Sequence, residues 1–252
     1  MIDFEIDGAI ATATLARPPV NAIDEEWVAR LHEVIHQAES DRAVSVLLFR
    51  SSERAFSAGA DLALMRSRYG TAEGRTHMIA FVREMQRAYA RIEKSSLVSI
   101  AEIGGPAMGG GLELALACDL RLASETAKLG LPEASLGLIP GAGGTQRLTL
   151  LCGQGVAKRL ILGAEVVDGA EATRLGIVQW AAPAGELQVQ ARRLVERVAA
   201  LPAASLAACK LCIGAAGKPG QDGYAMELAA TEDLLASNQT QNLVRAFLEG
   251  NR

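Results

Sequence analysis

Apolar and polar positions change their period several times along the chain. Phe4 and Ile6, then Ile10, Thr12 and Thr14, alternate around Asp7-Gly8, a pair that favours the positive φ angles of a tight turn, so the chain is expected to open on a β-hairpin. Arg17-Pro18-Pro19 breaks that alternation. Asp24 then stands at an N-cap position, and Trp27, Leu31, Val34, Ile35 and Ala38 recur at helical spacing up to about Ser40. Val44 to Phe49, Leu97 to Ile103 and Leu120 to Ala123 are short, continuous apolar runs, the pattern of strands buried on both faces. Helical patterns separate them, the longest from Glu73 to Glu93. Strands alternating with helices predict an α/β fold with parallel pairing.

The pattern shifts near Leu201-Pro202. Ala203 to Ala216, Tyr224 to Ser237 and Gln239 to Glu249 are predicted helices, and no strand is expected after them. The chain therefore divides into an α/β core over residues 1–200 and a helical region over 201–252. Ala and Leu occupy more than one face of those helices, a surface a small appendage cannot bury alone, so packing against other subunits is expected.

Length and composition narrow the classes. A chain of 252 residues fits one large core, or one core with an appendage. With 25 Lys plus Arg against 29 Asp plus Glu, the net charge of −4 lacks the basic excess of a nucleic-acid binder. A 50% hydrophobic and 21% charged composition excludes intrinsic disorder. Gly and Pro break the long uncharged runs, such as Ala134 to Gln146, before they reach the roughly 18 residues of a membrane span. The acidic, alternating start Met1 to Glu5 has neither a signal-peptide nor a transit-peptide pattern, and a soluble, cytoplasmic protein is expected. Cys118, Cys152, Cys209 and Cys212 lie in apolar helical stretches and predict free thiols.

Candidate chemistry sorts by geometry. His32-Glu33-Val34-Ile35-His36 matches a zinc-peptidase pattern. All three polar residues, however, fall away from the apolar stripe of their helix, and a catalytic zinc needs a third protein ligand. Cys209-Lys210-Leu211-Cys212 lacks the second pair a structural zinc requires; no metal site is expected. Gly104-Gly105-Pro106-Ala107-Met108-Gly109-Gly110-Gly111 follows a predicted strand and leads into the helical run Leu112 to Cys118. Its amides would face whatever sits at that helix start, where unpaired N–H groups favour negative charge. The spacing is poor for a dinucleotide site, and no P-loop Gly-Lys-Ser/Thr occurs. Gly141-Ala142-Gly143-Gly144 opens a second helix. Two carboxylates accompany these segments, Glu113 and Glu133. Closely placed, they could divide into acid and base; otherwise Glu113 complements a helix dipole and Glu133 is a solvated loop residue.

Taken in order, Arg54 to Leu62, Gly109 to Ala115, Leu131-Pro132-Glu133 and Pro140 to Leu148 resemble the enoyl-CoA hydratase/isomerase (crotonase) family, as do Arg17-Pro18 with Asn21-Ala22 and Arg245 to Glu249 near the two ends. The resemblance implies a spiral of ββα turns over 1–200, a C-terminal helical trimerisation region over 201–252, and a trimer or a dimer of trimers. It implies an acyl-CoA thioester as substrate, CoA being part of that substrate and no separate cofactor being required. The backbone N–H groups of Ala60 and Gly110 are then the oxyanion hole, and Arg54, Ala58, Ala60, Asp61 and Leu62 bind CoA. Glu113 and Glu133 are the acid/base pair that adds water across a 2-enoyl-CoA, Glu133 delivering the proton to C2 and Glu113 activating the water. Other reactions on the same scaffold are double-bond isomerisation, specialised dehydration and thioester hydrolysis or cleavage; a non-catalytic acyl-CoA-binding oligomer is the reading from a different class. Gly104, Ala63 and Gln239 to Leu243 depart from the usual pattern; the last two bear on phosphate contacts and chain-length preference.

Overall fold

The computed structural model describes residues 1–250. Its larger sheet has six strands in the order Ile2–Asp7, Ile10–Leu15, Val46–Ser51, Val98–Ile103, Leu120–Ser124 and Trp180–Ala182. The first two strands form an antiparallel hairpin, and all later neighbours are parallel. Asp7 still pairs with Ile10, so the turn is Gly8-Ala9, one residue later than expected, and Gly8 supplies the positive φ of +57°. The second strand buries Ala11, Ala13 and Leu15, while Ile10, Thr12 and Thr14 take the half-exposed side. The small alanines share their side with Trp27, Leu31 and Ile35 of the helix Glu25–Ser40, where bulky partners fill the volume.

The expected two-sided burial is explicit in the third strand. Leu47 and Phe49 pack with Ala101 and Ile103 on one face, whereas Val46 and Leu48 pack with Val98, Ile100, Leu194 and Val198 on the other. Helix Leu187–Ala199 covers the second face; helices Glu25–Ser40, Ala72–Lys94 and Gly110–Ala117 cover the first. Each fully buried Leu or Phe contributes about 1.5–3 kcal/mol. Asp24 caps the first of these helices, its carboxylate accepting from Trp27 N at 2.8 Å.

Two small sheets lie on the first face. One joins Val166–Asp168, Lys128–Gly130 and Ala107–Met108; the other pairs Ala22–Ile23 with Gly59–Ala60. Beyond residue 201 the described chain is helical, as Ala203–Ala215, Gly223–Ala236 and Asn238–Leu248. Lys210 fastens the first of these to the core: its ammonium donates to Asp119 at 2.7 Å, the Leu97 carbonyl at 2.8 Å and the Ile92 carbonyl at 3.0 Å. Of the residues in these three helices only Ala215 is buried, and Leu211, Ile213 and Leu228 are exposed. Cys209 is exposed too, against the expectation that it packs in an apolar surround.

Candidate active site

Glu113 sits in an eight-residue helix, Gly110–Ala117, of which every residue is buried. The preceding Gly109, at φ +50° and ψ −125°, turns the chain sharply into that helix. An ionised carboxylate here needs compensation, and backbone amides supply it: Gly144 N donates to Glu113 Oε1 at 2.7 Å, and the Ala142 backbone adds a second hydrogen bond. The Gly144 amide is in the first turn of Gly144–Leu162, where an N–H has no partner within its own helix. A Cβ on Gly144 would lie 3.0 Å from the same oxygen, so glycine lets the backbone approach. Burial pushes the Glu113 carboxyl up to about 7; the Gly144 amide opposes this and the Glu133 charge adds to it.

Glu133 is carried by a 3₁₀ turn, Pro132–Leu136, that ends at Gly137 in left-handed geometry. It is not a solvated loop residue. Oε1 lies 2.9 Å from the place a Cβ on Gly109 would occupy, and Oε2 is buried without a hydrogen-bond partner. Burial raises its pKa as well. The structure thus brings Glu113 and Glu133, twenty positions apart in sequence, to the start of one helix.

The two expected amide donors meet at the same place. Asp61 N donates to Ile23 O at 2.8 Å, so the alternation of a parallel strand turns Ala60 N–H the other way, toward Gly110. Ala60 N is 3.8 Å from the Cβ position of Gly110, and Gly110 N is 3.3 Å from that of Gly59. Gly110 N opens its helix and has no intrahelical acceptor. Gly59, at φ +89°, would drive a Cβ to 2.8 Å from Met108 O; glycine is the residue that permits this backbone contact. Two convergent N–H groups beside two carboxylates can hold a developing oxyanion while protons move nearby.

The other expected CoA-binding residues lie on the segment leading past Ala60. Arg54, Ala58 and Leu62 are exposed. The Asp61 carboxylate is already engaged, accepting from Ala63 N at 2.8 Å and Arg17 at 3.1 Å, and its main chain is paired as well, through Ile23 O and Met65 N.

Several buried or half-buried polar groups around the site have roles that the sequence did not assign. Asn21 and Ser57 are fully buried. Tyr89, also buried, donates to Gly110 O at 2.9 Å. Arg147 donates to Ala142 O at 2.7 Å and Glu93 at 2.7 Å, holding the loop before Gly144. Most of their partners lie twenty or more residues away, and the one available signal was polar residues near glycine-rich segments. The His-Glu-x-x-His set needs a correction: Glu33 and His36 are exposed, but His32 Nε2 is buried, 3.9 Å from Glu84, because helix Ala72–Lys94 packs beside it. No group of three or more potential ligands gathers among the described residues.

The sequence pattern of the enoyl-CoA hydratase/isomerase family matches residues 5–252. A short-chain-enoyl-CoA hydratase of Clostridium acetobutylicum is 33% identical over 249 residues, covering 98% of this chain and 94% of that protein. The crystal structure of an enoyl-CoA hydratase from Bacillus anthracis superposes with a TM-score of 0.89 at 30% identity, over 99% of this chain and 96% of that one. Pseudomonas aeruginosa DspI gives a TM-score of 0.91 at 36% identity, over 99% and 94%. The ordered glycine-rich turns, the paired Glu113 and Glu133 and these whole-chain likenesses agree: the chain belongs to the enoyl-CoA hydratase/isomerase (crotonase) family.

Proposed function

We propose that the protein is an enoyl-CoA hydratase that adds water reversibly, with syn geometry, to a 2-enoyl-CoA and gives a 3-hydroxyacyl-CoA. The observation that carries this reading is the Glu113–Glu133 pair, both carboxyls raised by burial, beside the Ala60 and Gly110 amides. With the thioester carbonyl between those amides, attack of water oxygen at C3 moves the C2–C3 π electrons toward the thioester oxygen, forming an enolate. The two N–H groups receive that charge, each worth about 3–4 kcal/mol when preorganised. Glu113, near neutrality and oriented by Gly144 N, accepts the proton lost by water. Glu133, whose Oε2 has no protein partner, delivers its proton to C2 as the enolate collapses, and exchange with solvent resets the pair.

CoA is part of the substrate, with Arg54 available to its phosphates and the Ala58 to Leu62 backbone to its adenine and pantetheine. Residues 201–252 serve assembly into a trimer or dimer of trimers in a cytoplasmic setting. The exposed Leu211, Ile213 and Leu228 support it, as does an apolar groove of about 450 Å³ between two of these helices. Light scattering is expected to give a multiple of 26.5 kDa; a monomer at micromolar concentration would refute the assembly. Purified protein mixed with crotonyl-CoA should lose the enoyl-thioester absorbance and form 3-hydroxybutyryl-CoA by mass, and Glu133→Gln should lower kcat by at least about 10². Absence of turnover with the substrate bound would sink the hydratase reading.

A further inference from the structure

The two amide donors belong to segments about fifty residues apart in sequence, and their main chains approach each other with the Met85 and Ile23 side chains packed against Gly110. Hydrogen bonds behind the two segments bear on their spacing. Ser57 stands between the segments. Its N–H donates to Pro106 O at 3.1 Å and its carbonyl accepts from Met108 N at 2.9 Å, so its main chain holds the strand that leads to Gly110. Its hydroxyl accepts from Gly59 N at 3.2 Å, next to Ala60, and donates to Asn21 O at 2.7 Å. Ser57 O also lies 2.4 Å from where a Cβ on Gly111 would be, so the glycine helix is seated directly on this residue.

Asn21 completes the arrangement. It is 0% exposed and adopts φ +51°, left-handed geometry that Asn tolerates better than most residues. Its side-chain amide donates to Ser51 Oγ at 2.8 Å and to the Ala55 and Phe56 carbonyls at 3.1 Å each, while its Oδ1 accepts from Arg17 N at 2.8 Å. The loop entering Ser57 is thereby held by the Asn21 amide together with the Ser51 hydroxyl, which donates to Ala55 O at 2.7 Å. An Asp there could not donate these bonds, and a shorter residue could not reach them.

We propose that Asn21 and Ser57 are positioning residues that fix the distance and direction between the Ala60 and Gly110 amides. They touch no reacting atom. The inference rests on the hydratase reading, in which those amides hold the thioester oxygen. A shift of one donor weakens the interaction that grows only as the enolate forms, so its main effect is on kcat.

The test uses the full chain as wild type, Ser57→Ala and Asn21→Ala, each checked for folding by circular dichroism. Acetoacetyl-CoA, whose enolate has its own absorbance band, reports charge stabilisation between the amides; free CoA, titrated by calorimetry, reports the rest of the site. Both variants are expected to lose the bound-enolate band and at least about tenfold in kcat on crotonyl-CoA, a loss larger than any change in CoA affinity. A folded Ser57→Ala that keeps the wild-type band and kcat overturns the proposal. Should Asn21→Ala fail to fold, Ser57→Ala decides, because it retains both main-chain bonds to Pro106 and Met108. Wild type that binds CoA but shows neither the band nor turnover overturns the hydratase reading, and this inference with it.

Discussion

Replacing Glu113 by Gln is expected to stabilise the protein in alkaline buffer and hardly at all in acid. The carboxyl is 2% exposed, and burial raises it from 4.5 to about 7. A group whose folded pKa is raised favours folding fully below its unfolded value and loses that contribution as pH rises through the folded one. The window therefore runs from pH 4.5 to about 7, and above it Glu113 weighs against folding by the whole difference. At about 1.4 kcal/mol per pH unit this amounts to about 3 kcal/mol. Gln removes the titration and can still accept from Gly144 N through its amide oxygen. Glu102, also raised by burial, is present in both proteins and cancels to first order, whereas the Glu133 charge contributes to the Glu113 shift, so the difference measured belongs to the pair. Urea titrations of both proteins at pH 4.5 and 8.5, at one protein concentration, measure the effect. Near-equal stabilities are expected at pH 4.5, with the variant ahead by about 3 kcal/mol at pH 8.5, or roughly 6–12 °C in melting temperature. A difference independent of pH, or a variant less stable at pH 8.5, would refute the claim that Glu113 is held in unfavourable burial.

Two other substitutions probe separate elements. Gly109→Ala places a Cβ 2.9 Å from Glu133 Oε1 at φ +50°; the expected stability loss is about 1–2 kcal/mol, with kcat falling while CoA binding holds, and unchanged kcat would show that Glu133 can move aside freely. Lys210→Met removes three donated bonds to Asp119, Leu97 and Ile92, while Asp119 keeps its contacts with Ser99 N and Oγ. A loss of about 1–3 kcal/mol in urea is expected, and an unaltered midpoint would show that the C-terminal helices are held by other contacts.

Local signals carried much of this fold. The Asp24 cap and the apolar stripe from Trp27 to Ala38 are both seen, and the continuous runs around Val46, Val98 and Leu122 are strands packed on two sides. These features are decided within a few residues. Facing was harder to read: β-branched Ile10, Thr12 and Thr14 look like the inner side, yet Ala11 and Ala13 take it because Trp27 and Leu31 need the room. At the site, the glycine-rich turns before Glu113 and Gly144 were visible as sequence, whereas Asn21 and Arg147 acquire much of their meaning through distant acceptors, Ala55 for the first and Glu93 for the second. A buried polar side chain declares its partners only after the chain has folded. His32 shows the same limit, since the helix that shields its Nε2 starts forty residues later.

The Ala60 and Gly110 donors are peptide groups, so mutation of side chains cannot delete them. What holds them together is glycine, turn geometry and a few buried hydrogen bonds, while the groups that decide where protons go are ordinary, replaceable carboxylates on neighbouring turns. If the proposed reaction holds, Glu113, Glu133 or the wall around them can be exchanged without rebuilding the frame that carries the Ala60 and Gly110 amides.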